Sequence, residues 1–414
     1  TMQEKVENKQ KEAQKSINKQ SKGITLIALV ITIIVLLILA GVSIATLTGD
    51  SGILTKANDA KENTELAEED ELRKLTQVEA ATYLEDHEYE DPNGEKITIP
   101  AKCAVSQVEG ENTLEDGLVI IDANGNEWVW IEVPESVTAS STTDEEIESA
   151  LRSHASKYRG SYSDTWYSGC GLEEQEYADK YSEMLQSIKA NHGFYIGRYE
   201  VGSFDNPATS NNNTRQAVIQ KGAYPYNYVT CSQAEELAEG LATGENTSTL
   251  MFGIQWDLVL AYLQTKGVSE SELKTNSGSW GNYRDVEFTV EEGNKYAIAT
   301  NWVLGEWNDV PVNYPKPTFD TDGNGVLLST GAAERNSKMN IYDLAGNVWK
   351  WTLEKSTLTY DPCVSRGGAF SNSGSSSPGS RRFYNSSSDS YSDIGSVSYT
   401  HLRAHETLRE VGCR

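Results

Sequence analysis

The sequence is poor in the residue types that bind polyanions, hold transition metals or form disulfide frameworks. Lysine and arginine together number 35 against 61 acidic residues, which gives a net charge of −26. Only five histidines and five cysteines occur in 414 residues, and no two cysteines have CxxC spacing. A phosphate backbone repels a chain of this charge, so nucleic acid is not an expected partner. The 38% hydrophobic content is enough for a buried core, which argues against global disorder.

One segment has no charge at all. Residues 24–47 read ITLIALVITIIVLLILAGVSIATL. At about 1.5 Å per residue, a helix of this segment would be about 36 Å long and could cross a membrane. Residues 1–22 carry six lysines against three glutamates, whereas the sequence after Asp50 is acidic. We therefore predict a single-pass protein of the cell membrane whose C-terminal domain is extracellular.

The residues before the apolar segment contain a second signal. The sequence KGITLI at 22–27 is similar to the cleavage and methylation site of type IV prepilins. The resemblance implies that residues 1–23 are a leader, that a prepilin peptidase cuts after Gly23, and that Ile24 becomes the methylated N-terminus. Other pilins then become expected partners. The family usually has glutamate as the fifth mature residue, where this chain has Ala28, which favours a minor pilin or a simple anchor.

The segment that follows, residues 48–90, is predicted to be a charged helical stalk. No proline occurs between Ile53 and Leu84, and leucines and other apolar residues recur there at helical spacing. In pilins such a helix continues the membrane helix beneath a small sheet. A solvated stalk between membrane and ectodomain is the alternative, because acidic residues run through the segment.

The residue pattern changes after residues 91–94. From there the sequence consists of short β-type runs separated by glycine, asparagine and serine. In 118–133 two apolar runs flank Asn124-Gly125, a dipeptide typical of a tight hairpin turn. Further strands are predicted at 194–201, 287–290 and 296–304, and helices at 144–158, 173–190, 232–241 and 252–265. Strands mixed with separate helices, without a repeating βαβ unit, predict an α+β fold with a largely antiparallel sheet.

Five segments of this domain together resemble the formylglycine-generating enzyme, or sulfatase-modifying factor, family. They are NEWVWI at 126–131, GFYIGRYEV at 193–201, GIQWD at 253–257, NIYDLAGNVWKWT at 340–352 and RGGAF at 366–370. The last two, in this order and spacing, carry most of the resemblance. It implies a C-type lectin-like fold over residues 95–395.

The chemistry of that family is not matched in this chain. Members that oxidise a cysteine of their substrate hold copper with two cysteines soon after the RGG segment, since thiolates bind copper. Here those positions fall near Asn372 and Ser377. We therefore predict a domain without catalytic residues or cofactor, which binds a ligand in the manner of an adhesin. A metal-dependent oxidoreductase with an atypical site is the alternative, and a structural minor pilin is a second one.

The family also binds calcium at the Gly-Asn-Val-Trp loop, through a side chain, backbone carbonyls and a carboxylate. Matched position by position, the resemblance implies Asp343, Gly346 and Val348 as ligands, and these suit a hard cation. The fourth position is Lys350 in place of the expected glutamate. An ammonium repels the ion, which argues against calcium and favours a structural turn.

Residues 371–393 contain eleven serines in 23 positions. By composition this is a flexible, solvated linker, but Asn372, Arg381, Arg382 and Tyr384 are embedded in it. Serine, asparagine and tyrosine give adaptable hydrogen bonds with rigid aromatic contact. The segment also falls where C-type lectin-like folds display their ligand surface. We predict these four residues as ligand contacts, for a glycan or protein ligand of unknown identity.

The last nineteen residues, 396–414, look foreign. The family closes with Ile-Gly-Phe-Arg and an apolar strand, whereas Ile394-Gly395 is followed here by SVSYTHLRAHETLREVGCR. This tail resembles the translated read-through of a sequencing adapter joined to a truncated gene. His401 and His405, which would share one helix face as in zinc sites, then have no biological role.

Overall fold

The computed structural model describes residues 53–211, 214–243 and 246–401. The predicted leader (1–23) with its processing site at Gly23 and Ile24, the predicted membrane segment (24–47) and residues 402–414 lie outside the described residues. The chain divides into two compact units, residues 1–71 and 72–414. The predicted domain boundary at 91–94 lies inside the second unit, where it forms the turn of a hairpin.

Helices form where apolar periodicity predicts them, and two further short helices, at 135–138 and 270–274, were not predicted. They are α1 (Ile53–Ala80), α2 (Glu135–Thr138), α3 (Asp144–His154), α4 (Glu174–Asn191), α5 (Cys231–Glu239), α6 (Gly253–Thr265) and α7 (Glu270–Lys274), with a 3₁₀ turn at Glu334–Asn336. Capping boxes at Thr143, Thr230 and Ser269 start α3, α5 and α7. In each box the cap side chain and the side chain three residues later satisfy two N–H groups at the helix start.

The strands are short and numerous. In chain order they are β1 (His87–Glu90), β2 (Lys96–Ile99), β3 (Cys103–Val105), β4 (Val119–Asp122), β5 (Glu127–Glu132), β6 (Gly193–Gly197), β7 (Gly202–Ser203), β8 (Tyr224–Pro225), β9 (Thr247–Leu250), β10 (Thr289–Val290), β11 (Lys295–Thr300), β12 (Val303–Asp309), β13 (Tyr314–Pro315), β14 (Gly325–Leu328), β15 (Ser337–Lys338), β16 (Ile341–Tyr342), β17 (Trp349–Lys355), β18 (Cys363–Arg366), β19 (Arg382–Asn385), β20 (Ile394–Ser396) and β21 (Ser398–His401). Their pairing divides them among several small sheets.

The two largest sheets position the candidate sites. One has six strands in the order β3-β4-β5-β6-β21-β9, and the other has four in the order β19-β18-β17-β20. Within the described residues the strand pairs are antiparallel, apart from the parallel pair β17–β20. The hairpin predicted around Asn124-Gly125 is confirmed, since β4 and β5 pair antiparallel and Gly125 has φ 83°. Glycine adopts this left-handed conformation without steric cost.

The predicted fold class and location need correction. In the part of the chain that the structure describes, no helix is both long and apolar enough to cross a membrane. The longest described helix, α1, carries charged residues along its whole length. The predicted α+β ectodomain on a transmembrane, pilin-like helix, and with it the predicted single-pass, pilus-type membrane protein, is therefore not supported by the described residues. The described residues form a mixed α/β domain with many small sheets.

Two Trp-x-Trp segments, at 128–130 and 349–351, place their indole rings in the core. Trp128, Trp130, Trp349 and Trp351 are at most 6% exposed. They belong to one large apolar cluster, which also contains Trp256 of α6. Trp349 begins β17 directly after the loop at 343–348, so this loop adjoins the cluster.

Part of the segment predicted to be foreign has a place in the fold. Residues 398–401 form β21, which pairs antiparallel with β6 and with β9. Tyr399 is fully buried and its ring lies 6.3 Å from those of Phe194 and Phe252. A strand thus occupies this position of the six-stranded sheet, and the foreign origin of 396–414 stays a prediction.

Candidate functional site

The loop 343–348 and the first residues of β17 enclose a buried charge pair. The Lys350 Nζ lies 2.8 Å from Glu200 Oε1, and both side chains have no exposed surface. The same ammonium donates to the backbone carbonyl of Asp343 and, at 2.5 Å, to that of Gly346. Three oxygens from two segments of the chain thus surround the lysine.

The glutamate of this pair has further partners. Its Oε2 accepts from Asn347 Nδ2 at 2.7 Å, and its Oε1 accepts from the Val348 N–H at 3.1 Å. Burial raises the pKa of Glu200 above its usual value, although the Lys350 ammonium acts in the opposite direction. Burial and then the nearby Glu200 raise the pKa of Asp343 to about 7. The Asp343 carboxylate accepts from the Gly331 N–H instead of turning to the lysine.

The residues at this loop do not fit a bound calcium ion. Of the three implied ligands, Asp343 and Gly346 direct carbonyl oxygens at the Lys350 ammonium, whereas Val348 offers its N–H to Glu200. The ammonium lies where these oxygens converge, so a divalent ion would have to displace a cation that the chain itself supplies. Over the described residues no group of three or more His, Cys, Asp or Glu side chains is arranged to hold a metal.

A second buried charge network lies where the RGGAF segment begins. Arg366 on β18 donates to Asp257 Oδ1 at 2.8 Å and to Glu354 Oε2 at 3.0 Å. Arg382 on β19 donates to both Asp257 oxygens at 2.7 Å and to Glu354 Oε1 at 2.8 Å. Arg159 adds a third guanidinium, 2.9 Å from Asp257. We call these five residues the arginine network.

The network is electrostatically self-consistent. Burial by itself would raise the pKa of Glu354, but Arg366, Arg382 and Arg159 outweigh it and lower that pKa below its usual value. Glu354 therefore stays ionised between guanidinium groups, which bind carboxylates in pairs of hydrogen bonds. Arg382, which was predicted as a ligand contact, uses its guanidinium group for hydrogen bonds within this network. It also donates to the Tyr158 carbonyl at 2.8 Å.

The positions that match the copper cysteines of the resembling family have structural roles. Asn372 Oδ1 accepts from the Ala369 N–H at 3.1 Å, and its carbonyl accepts from the Arg284 N–H at 2.9 Å. The Ser377 carbonyl accepts from Tyr283 Oη at 2.8 Å. Asn372 thus shapes the turn after RGGAF, and its side chain is engaged inside the protein.

The described cysteines lie elsewhere and are buried as free thiols. The Cys231 Sγ lies 3.4 Å from Tyr167 Oη. The neighbouring Cys363 and then burial raise the pKa of the Cys231 thiol well above its usual value. Burial also raises the pKa of Cys170. Protonated, buried thiols are poor nucleophiles and poor metal ligands.

The second half of the serine-rich segment carries exposed rings. Phe383 and Tyr384 on β19 are each 42% exposed, and Tyr391 is 53% exposed. The Phe383 and Tyr384 rings lie 5.3 Å apart at an interplanar angle of 8°, and the Phe383 ring lies 5.6 Å from that of Trp349. We call Phe383, Tyr384 and Tyr391 the aromatic surface.

The structure separates the four predicted ligand contacts. Tyr384 is on the aromatic surface, and Arg381 is exposed beside it in sequence. Arg382 and Asn372 face the interior through the hydrogen bonds given above. Phe383 and Tyr391 were not among the predicted ligand contacts, although Phe383 is next to Tyr384 and Tyr391 follows in the same serine-rich run.

The acidic partners of the buried cations Lys350 and Arg366 were also not predicted from the sequence. Glu200 lies in the GFYIGRYEV segment and Asp257 in GIQWD, two segments that carry the family resemblance. A charged residue inside a motif of otherwise buried residues was the available signal, because such charges are paired when they are buried.

Comparison with known proteins gives little. No protein-family model matches this chain, and no curated protein matches it. Among solved structures the chain is similar to Treponema denticola variable protein 1, at 14% sequence identity and a TM-score of 0.22, over 77% of this chain and 99% of that chain. A likeness at this TM-score supports no argument about fold or function.

Proposed function

We propose that the domain is a non-catalytic binding domain and that the aromatic surface is where its ligand binds. The observation that carries the proposal is the exposure of Phe383, Tyr384 and Tyr391 beside a strand fixed by Arg382. Rigid aromatic side chains contribute large contact areas at small entropic cost, and they are enriched where proteins bind ligands. Because the arginine network holds Arg382, the strand that carries Phe383 and Tyr384 is ordered before any ligand arrives.

The resemblance to the formylglycine-generating enzyme family supports the same proposal in a modified form. We infer that the chain shares the fold of that family without its oxidase chemistry. Asn372 and Ser377 stand at the positions that match the copper ligands, and neither can supply the thiolate that the reaction needs.

The binding proposal is tested by removing the rings. The chain is screened on glycan and protein arrays, and hits are measured again with the double variant Phe383→Ser/Tyr384→Ser. We expect a loss of affinity of at least about tenfold, since each buried aromatic anchor is worth about 1 kcal/mol or more. Phe204→Ser, which removes a ring that is 58% exposed in another loop, is the control. Equal losses in both variants, or none in the double variant, would contradict the proposal.

The non-catalytic part has its own test. The chain is incubated with copper and a cysteine-containing sulfatase peptide, and the peptide is analysed by mass spectrometry. We expect the cysteine to remain unchanged. Conversion of the cysteine to formylglycine, lost on replacing a described cysteine by serine, would show an atypical catalytic site instead.

A further inference from the structure

The turn at 343–348 is built so that its carbonyl oxygens converge. Asp343, Gly346 and Asn347 all have positive φ, at 54°, 77° and 56°. A Cβ on Gly346 would lie 2.3 Å from the Asn282 carbonyl oxygen, so only glycine fits there. The backbone itself, and not the lysine, thus fixes the direction of the carbonyls.

Backbone hydrogen bonds hold the turn from outside. The Gly346 N–H donates to the Gly367 carbonyl at 2.9 Å, and the Asn347 N–H donates to the Asn282 carbonyl at 3.0 Å. The Asn282 and Asn347 side chains bond to each other at 2.9 Å. None of these bonds involves Lys350, so the oxygens should keep their places when that side chain is changed.

A simple salt bridge does not account for this arrangement. One carboxylate would satisfy an ammonium by charge, but Lys350 Nζ also contacts the carbonyls of Asp343 and Gly346. Carbonyl oxygens together with one carboxylate are the ligand types that a hard cation such as calcium prefers. An ammonium has three N–H donors, and Lys350 directs them at Asp343, Gly346 and Glu200.

We propose that the Lys350 ammonium is a covalently attached substitute for a divalent cation, and that it makes the turn independent of calcium while masking a latent cation site. The lysine supplies one positive charge at a place that has no exposed surface. Because it is part of the chain, this cation is bound at any calcium concentration. Replacing it by a carboxylate would leave converging oxygens with excess negative charge, which a divalent ion can neutralise.

The test compares thermal unfolding of the whole chain in millimolar calcium and in excess EDTA. The wild-type midpoint should be the same in both. For Lys350→Glu we expect the midpoint in EDTA to fall by about 10 °C, because a buried charge loses its partner, and to recover by several degrees with calcium. Terbium luminescence excited through Trp349 and Trp351 should rise in this variant alone.

Lys316→Glu is the matched control. Lys316 is also fully buried and donates to backbone carbonyls, 2.8 Å from that of Tyr283, but no carboxylate is salt-bridged to it within the described residues. This variant should lose stability without any recovery in calcium. Recovery equal to that of Lys350→Glu would overturn the latent site.

Two further outcomes decide the proposal. A wild-type midpoint that rises with calcium, or a Lys350→Glu variant as stable as wild type in EDTA, would overturn the substitute role of the lysine. If Lys350→Glu does not fold in either buffer, Lys350→Gln takes its place, since it leaves Glu200 and the two carbonyls free for an ion. Partial recovery of that variant with calcium supports the proposal, and none overturns it.

Discussion

Residues 371–382 and 383–391 are both rich in serine, but their surroundings differ. In the first half Ser371, Ser373 and Ser377 are at most 8% exposed. In the second half the rings of the aromatic surface are at least 42% exposed. Arg382 lies at the border, bound to Asp257 and Glu354.

This difference shows that composition does not decide what a serine-rich segment does. The first half is held by hydrogen bonds to loops that come from other parts of the chain, such as that from Tyr283 to the Ser377 carbonyl. The second half begins on a strand at the edge of its sheet. The buried half can thus support the exposed half, which is free to meet a ligand.

The largest expected loss of stability comes from a change in the arginine network, which lies at the border of the two halves. Arg366→Leu leaves Asp257 and Glu354 with one guanidinium fewer in a site without exposed surface. We expect the free energy of unfolding to fall by about 3 to 5 kcal/mol, because each of the two buried carboxylates loses one of its guanidinium partners. Urea denaturation measures this. The exposed Arg381, changed to leucine, is the control and should cost less than about 0.5 kcal/mol.

A second substitution disturbs the packing of the buried half alone. Gly368 has φ 79°, and a Cβ there would lie 2.3 Å from the Ser377 carbonyl oxygen. Gly368→Ala should therefore cost about 3 kcal/mol or more, from backbone strain plus a clash that cannot relax. Gly222→Ala tests strain alone, since Gly222 has φ 80° with no atom within 4 Å of the added Cβ. If both variants lose the same stability in urea, the packing of the first half is looser than described.

A smaller effect depends on pH. Asp393, which is buried, accepts from Ser371 Oγ at 3.0 Å and so joins the two ends of the serine-rich segment 371–393. Burial raises the pKa of Asp393 above 3.8. The stability that its neutral form gives is present below about pH 4 and is lost as pH rises through the folded-state pKa. Asp393→Asn should then be more stable than wild type at pH 7, with the gap closing towards pH 4.

Denaturation of both proteins across this pH range checks that prediction. An Asp393→Asn variant that is less stable than wild type at neutral pH would mean that the ionised carboxylate is the favoured partner of Ser371. The buried half would then depend on a charge as the arginine network does.

The smallest effect on stability is expected on the exposed half. Tyr384→Ser should change the free energy of unfolding by less than about 1 kcal/mol, because the ring is 42% exposed. Its effect should appear in ligand affinity instead. A large loss of stability in urea would show that the aromatic surface is part of the core and would remove the contrast between the two halves.

The sequence predicted those features that depend on neighbouring residues. Apolar periodicity located α3, α4, α5 and α6, and Asn124-Gly125 located the hairpin β4–β5. The sequence did not predict which residues distant along the chain would contact each other. The conflict between Lys350 and calcium was visible in the motif, but Glu200, distant in sequence, shows what the lysine binds. The predicted membrane helix rested on hydropathy alone and found no support in the described residues.

The four-residue strand β19 is the outermost strand of its sheet. Backbone groups on its free side can pair with a strand of another molecule, and aromatic side chains favour such pairing. A strand edge suited to a ligand is thus equally suited to pairing with a second copy of the chain. The shortness of β19 and the charge of −26 on the chain both oppose it, so solubility should be most sensitive to salt and to added apolar residues along this strand.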